Sequence, residues 1–109
     1  MSYKIFEISE YIRGNLQNLP TKELLCDKFT ITDYALRKGF KQNFGLNIGE
    51  YCRKQRMKSA AKLLSDTENS ISIVAECVGF RNPSRFAEAF RNQYGVNPFQ
   101  FRQVVKNAN

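Results

Sequence analysis

An all-α chain built from two helix-turn-helix units is predicted by three observations. The first is an internal repeat: Phe40-Lys41-Gln42-Asn43-Phe44-Gly45-Leu46-Asn47 returns fifty positions later as Phe90-Arg91-Asn92-Gln93-Tyr94-Gly95-Val96-Asn97. The second is punctuation. In each copy an apolar-periodic segment leads into a turn with helix-start residues, Thr32-Asp33 in one and Asn82-Pro83 in the other, and the next segment stops at a glycine. The third is period, because apolar residues recur at helical spacing along the chain and no convincing strand results.

The repeat runs without a gap from Leu36/Phe86 to Tyr51/Phe101. Upstream it continues with the offset reduced by one, through Leu25/Val74, Cys26/Ala75, Phe29/Val78 and Ile31/Phe80. The length difference therefore falls in a short connection between helices, where it costs little. A helical solenoid is the competing architecture, but solenoids need about three repeats or more to bury their faces. Two copies favour a pair of small helical cores.

Ile5, Ile8, Ile12 and Leu16 lie at helical spacing and predict a first helix that ends near the stretch Asn15 to Pro20. Thr21 is placed to cap a second helix carrying Leu24, Leu25 and Phe29. Thr30-Ile31-Thr32 makes the turn, and Thr32 caps a third helix that turns Leu36 and Phe40 inward and stops at Gly45. Gly39, inside that helix, costs about 1 kcal/mol relative to alanine and so predicts close packing of another element. From Ile48 to about Ser65 there is no proline, and Tyr51, Met57, Ala60, Leu63 and Leu64 form an apolar stripe. A helix of that length spans roughly 25 Å, long enough to be a spacer between the copies. After the polar stretch Asp66 to Ser70, Ile71, Val74, Ala75 and Val78 predict a fifth helix that stops at Gly79. Asn82-Pro83 opens a sixth, ended by Gly95, and Asn97-Pro98 opens a last helix carrying Phe101, Val104 and Val105. The expected organisation is a first unit over about 5–47, a linker helix over 48–65 and a second unit over 66–105.

At 109 residues with 42% hydrophobic content, the chain is one globular domain's worth. No apolar run approaches the roughly 20 residues of a membrane span and the first residues lack a signal-peptide pattern, so a soluble cytoplasmic protein is expected. Three widely spaced cysteines and no histidine support neither a zinc module nor a disulfide framework. Cys26 and Cys77, inside apolar-patterned helices, are expected to be small buried residues. Paired catalytic carboxylates, a glycine-rich phosphate loop and a metal-ligand set are all missing from the sequence, so neither an enzyme nor a bound cofactor is expected.

Seventeen Lys and Arg against ten Asp and Glu give a net charge of +7, distributed unevenly. Between Arg37 and Lys62, eight basic residues (Arg37, Lys38, Lys41, Arg53, Lys54, Arg56, Lys58 and Lys62) are opposed only by Glu50, and Arg81, Arg85 and Arg91 form a second group on the equivalent part of the other copy. Most basic clusters are solvated helix faces. Recurrence on the same element of both copies points instead to an anionic partner. A protein-interaction module with an acidic partner is the alternative to nucleic acid.

Four segments together resemble the DNA-binding domain of the AraC/XylS family of bacterial transcription regulators. They are Tyr51-Cys52-Arg53-Lys54-Gln55-Arg56-Met57-Lys58-Ser59-Ala60, Ile73-Val74-Ala75-Glu76-Cys77-Val78-Gly79-Phe80, Ser84-Arg85-Phe86-Ala87-Glu88-Ala89-Phe90-Arg91 and Gly95-Val96-Asn97-Pro98-Phe99-Gln100-Phe101-Arg102. The resemblance covers about Ile5 to Gln103. It implies two helix-turn-helix units joined by a long helix, each laying its second helix in the major groove of double-stranded DNA, where base pairs present distinguishable patterns. Tandem readers in one chain need no palindrome, so an asymmetric site of two unlike half-sites about one helical turn apart is expected.

Carried over to this sequence, the resemblance makes Tyr34, Arg37 and Lys38 base-reading candidates in the first unit and Ser84, Arg85 and Glu88, beside Pro83, in the second. Arg37 and Arg85 suit bidentate contacts to guanine. Thr32, Lys41, Asn82 and Arg91 are the phosphate candidates, which position without reading sequence. Tyr34 either contacts a thymine methyl or packs on the first helix. Arg53 and Arg56 are expected to be structural, pairing acidic or carbonyl groups between the subdomains. Two departures stand out. Thr30 occupies a place where the family often has a turn glycine, which predicts a strained or altered turn; Glu88 replaces a frequently basic or neutral reader and either accepts from cytosine N4 or repels phosphate. The family further implies a regulator, activator or repressor, that engages RNA polymerase, with an effector or dimerisation domain elsewhere if this chain is a fragment.

Overall fold

The computed structural model describes residues 3–108, among which there are seven α-helices and no strand: α1 (Tyr3–Arg13), α2 (Lys22–Phe29), α3 (Asp33–Phe44), α4 (Ile48–Asp66), α5 (Ile71–Cys77), α6 (Pro83–Tyr94) and α7 (Pro98–Asn107). None is long and apolar enough to cross a membrane. The chain divides into two compact units between Arg53 and Lys54.

The helix starts follow the capping chemistry of the sequence. Thr21 and Thr32 accept from the amides of Leu24 and Ala35, each at 3.1 Å, and Asn82 accepts from Ser84 and Arg85. Each satisfies amides that the first turn of a helix leaves without partners. Ser70 caps α5 in the same way, a role not read from the sequence. Two reciprocal capping boxes open α4 and α7. Asn47 and Glu50 exchange bonds of 3.0 and 2.9 Å, and Asn97 and Gln100 exchange bonds of 3.1 and 2.8 Å, at positions related by the repeat. α1 ends at Arg13, sooner than the apolar pattern suggested. Leu16 packs on the first core from the connection that follows.

In the first unit, Ile5, Ile8 and Ile12 of α1 meet Leu25 of α2, Leu36 and Phe40 of α3, and Tyr51 and Cys52 of α4. In the second, Met57, Ala60 and Leu64 of α4 meet Val74, Ala75 and Val78 of the α5 segment and Phe86 and Phe90 of α6. α4 is therefore more than a spacer, since its first turns close one core and its later turns supply another. Tyr51 occupies in the first unit the place of Phe101 in the second. The aromatic trio is duplicated: Phe40 meets Tyr51 at 5.2 Å and 73°, and Phe90 meets Phe101 at 5.2 Å and 77°. Phe44 and Tyr94 fill the third place in each. Edge-on ring pairs of this kind add about 0.5–1.5 kcal/mol beyond the area they bury.

Gly39 is buried, and a methyl group there would overlap Cδ1 and Cγ1 of Ile5. The close approach of α1 to α3 accounts for the glycine.

The turns inside the two units share one return bond. Ile31 N–H donates to the Cys26 carbonyl at 3.1 Å and Phe80 N–H to the Ala75 carbonyl at 2.9 Å, the long return bond of a Schellman motif. The motif needs a left-handed residue, which is Gly79 (φ 92°) in the second unit and Thr30 (φ 49°, ψ 59°) in the first. Thr30 is the sole non-glycine with positive φ among the described residues, so the expected strain is present. The extra residue of the second turn is Arg81, exposed between Phe80 and the cap Asn82. The three cysteines are free thiols, but Cys77 is exposed and Cys26 half-buried, contrary to the expectation that both are buried. Cys77 sits about 200° around the short α5 from Ala75, turned away from the face that Val74 and Ala75 bury.

Candidate nucleic-acid interface

α3 is held by its cap, by the buried Leu36, Gly39 and Phe40, and by Gly45 at its end, which leaves the remaining faces to solvent. Tyr34 is 64% exposed, and the Lys38 ammonium lies over its ring, 5.7 Å from the centroid. Tyr34, Lys38 and Gln42 follow one another at four-residue spacing and line a shallow concavity with Thr32, Thr30 and Lys4. Arg37 lies beside this row, and its Nε donates to Oδ2 of Asp33 at 3.1 Å. Lys41, expected to hold phosphate, is exposed at the other end of the helix, where its ammonium donates to the Gly45 carbonyl at 3.3 Å.

α6 repeats the framework with a different surface. Phe86 and Phe90 are buried, while Ser84, Arg85, Glu88 and Arg91 are exposed. Ser84, Glu88 and Arg91 line one concavity together with Asn97, and Arg85 lies outside it. By the repeat, Tyr34 corresponds to Ser84, Lys38 to Glu88 and Lys41 to Arg91, whereas Arg37 corresponds to Ala87 and Arg85 to Ala35. The two helices thus place their base-reading arginine candidates, Arg37 and Arg85, on different sides of equivalent frames.

Two residues, Lys4 and Asp33, adjoin the candidates without being among them. Lys4 of α1 donates through Nζ to the carbonyl of Thr30 at 3.2 Å, a tertiary contact that no local pattern signals. Asp33 pairs with both Arg37 and Lys22, the latter at 3.3 Å. Desolvation pushes the Asp33 carboxyl upward, but Lys22 and then Arg37 outweigh it and hold the group below the ordinary aspartate value. The four-residue spacing of Asp33 and Arg37 was the available signal; the partnership with Lys22, across the turn, had none. On α4, Arg56 is half-buried with its guanidinium 5.8 Å from the Phe80 ring centroid, and Arg53 is exposed. Among the described residues no group of three or more His, Cys, Asp or Glu is placed to hold a metal ion.

A family model described as a helix-turn-helix domain matches residues 25–104. The chain belongs to the AraC/XylS family. It is 34% identical over 99 residues to the bifunctional transcriptional activator/DNA repair enzyme AdaA of Bacillus subtilis, covering 91% of this chain and 47% of AdaA. It is 26% identical over 100 residues to the multiple antibiotic resistance protein MarA of Escherichia coli, covering 92% of this chain and 79% of MarA. Among solved structures, the C-terminal domain of AraT, a response regulator from Geobacillus stearothermophilus, matches with a TM-score of 0.85 at 31% identity, over 94% of this chain and 86% of that one. The DNA-binding domain of AdpA, solved in complex with a target DNA, has the same fold, with a TM-score of 0.88 at 23% identity over 99% of this chain and 97% of that one. The AraC/XylS homologues are DNA-binding transcription regulators. This chain spans less than half the length of several curated relatives, 47% for AdaA and 30% for the Msm operon regulatory protein of Streptococcus mutans.

Proposed function

We propose that this chain binds double-stranded DNA sequence-specifically as a bacterial transcription regulator, with α3 and α6 entering successive major-groove segments of an asymmetric bipartite site. The observation that carries the reading is that two helices with the same buried frame, the same kind of N-cap and the same glycine stop present unlike exposed polar rows. A helix fits the major groove, and the residues near its N-terminus meet the base edges. Tyr34, Arg37 and Lys38 would read bases in one segment and Ser84, Arg85 and Glu88 in the other, while Thr32, Lys41, Asn82 and Arg91 hold phosphates. As a regulator in the cytoplasm the protein would act through RNA polymerase.

The test is selection from random duplexes at low salt, followed by sequencing of what binds. Two unlike half-sites about one helical turn apart are expected. Arg37→Ala should relax the preference at one base pair of one half-site by about 1–3 kcal/mol and Arg85→Ala should do so in the other. Recovery of a single half-site would remove α6 as a reader. Absence of any enrichment would leave a basic module for an acidic partner.

A further inference from the structure

The Asp33 side chain sits in the first turn of α3, between a lysine from the start of α2 and an arginine one turn further along its own helix. Its contact with Arg37 goes through Nε. That leaves the two terminal amino groups of the guanidinium, which make no hydrogen bond to the protein among the described residues. Those groups form the fork that matches O6 and N7 of guanine. A helical side chain already leans toward the N-terminus of its helix, and the pairing with a residue one turn back fixes it in that direction. The N-terminal end of a recognition helix is the end that reaches base edges.

From this geometry we infer that Asp33 is a specificity-determining positioning residue, holding the Arg37 guanidinium oriented for bidentate reading of a guanine while Lys22 holds Asp33. The inference rests on α3 being a reader. It assigns to an acidic side chain in a basic binding face a role other than attraction. Asp33 opposes phosphate, yet it confines a long side chain that would otherwise lose several rotatable bonds' freedom on binding. The second unit has no such pair, since Pro83 and Ala87 stand at the equivalent positions and Arg85 makes no ion pair among the described residues.

The test compares wild type, Asp33→Asn, Arg37→Ala and the double variant for affinity to the selected site, to the same duplex with each base pair changed, and to an unrelated duplex. Asp33→Asn keeps the side chain's shape, and its helical content and melting temperature are checked alongside. Affinity for the unrelated duplex should rise in Asp33→Asn as a negative charge is removed, while discrimination falls roughly three- to ten-fold at the base pair that Arg37→Ala relaxes. In the Arg37→Ala background, Asp33→Asn should have no further effect on discrimination, the coupling expected of residues that act through one another. A residue that merely stabilised the fold would weaken all duplexes alike. Unchanged discrimination in Asp33→Asn, or an equal loss with and without Arg37, would overturn the inference while leaving α3 as a reader; an Arg37→Ala variant that relaxes no base pair would remove the reading by Arg37 and the inference with it.

Discussion

The two units are near-copies inside and strangers outside. Phe40, Phe44 and Tyr51 make the same ring cluster as Phe90, Tyr94 and Phe101, with the leading pair at the same 5.2 Å, and the capping boxes at Asn47 and Asn97 recur in register. On the exposed faces, Lys38 answers to Glu88, Tyr34 to Ser84 and Arg37 to Ala87. Close packing constrains the inner set because a change of one methylene is felt by every neighbour. The outer set meets solvent and has diverged. What the two copies share defines the scaffold, and what they do not share is where a difference in binding has to come from.

If the cores are equivalent, truncating the central ring of each should cost alike. Phe40→Ala and Phe90→Ala are each expected to destabilise the protein by about 3–5 kcal/mol in chemical denaturation, both rings being fully buried. A small loss at one and a large loss at the other would break the equivalence. The next comparison is between Gly39 and its counterpart Ala89. Gly39→Ala should destabilise by about 1–3 kcal/mol despite the better helix propensity, because the new methyl meets Ile5, whereas Ala89→Gly should lose about 1 kcal/mol from propensity.

The turns sharpen the contrast further. Thr30→Gly is expected to raise stability by about 1 kcal/mol by relieving a left-handed threonine, and Gly79→Thr to lower it by a similar or larger amount. Equal and opposite shifts in the denaturation midpoint would confirm that one motif serves both units. The smallest effect concerns the surface: Glu88→Gln should strengthen binding to duplex DNA by about 0.5 kcal/mol at low salt, the scale of a single exposed charge. Weaker binding with lost preference at one base pair would instead mark Glu88 as an acceptor for a base.

Much of the frame was legible because capping and periodicity are local. Thr21, Thr32, Asn82 and Asn97 cap where the sequence places them, and Gly45, Gly79 and Gly95 take positive φ at the stops. The crowding at Gly39 could be inferred from the cost of a glycine in a helix, although its partner, Ile5, could not be named. Cys77 was misjudged because seven residues of α5 are too few for periodicity to fix a face. The Lys4 contact to Thr30 and the Lys22 contact to Asp33 bring different helices together, and such meetings follow from packing rather than from spacing. The candidate readers were placed by family likeness; the structure adds which of them are exposed, which share a row, and that Arg37 has a companion.

Arg81 is the single residue by which the second turn exceeds the first. The helices on either side have an N-cap, the same return bond and buried faces in both copies, so a one-residue difference in length leaves both cores alike. A duplicated module can therefore differ at its turns by a single residue, here a cation just ahead of α6, without any compensating change inside. That separation leaves the exposed connection of one half free to vary while the packing of both halves stays the same.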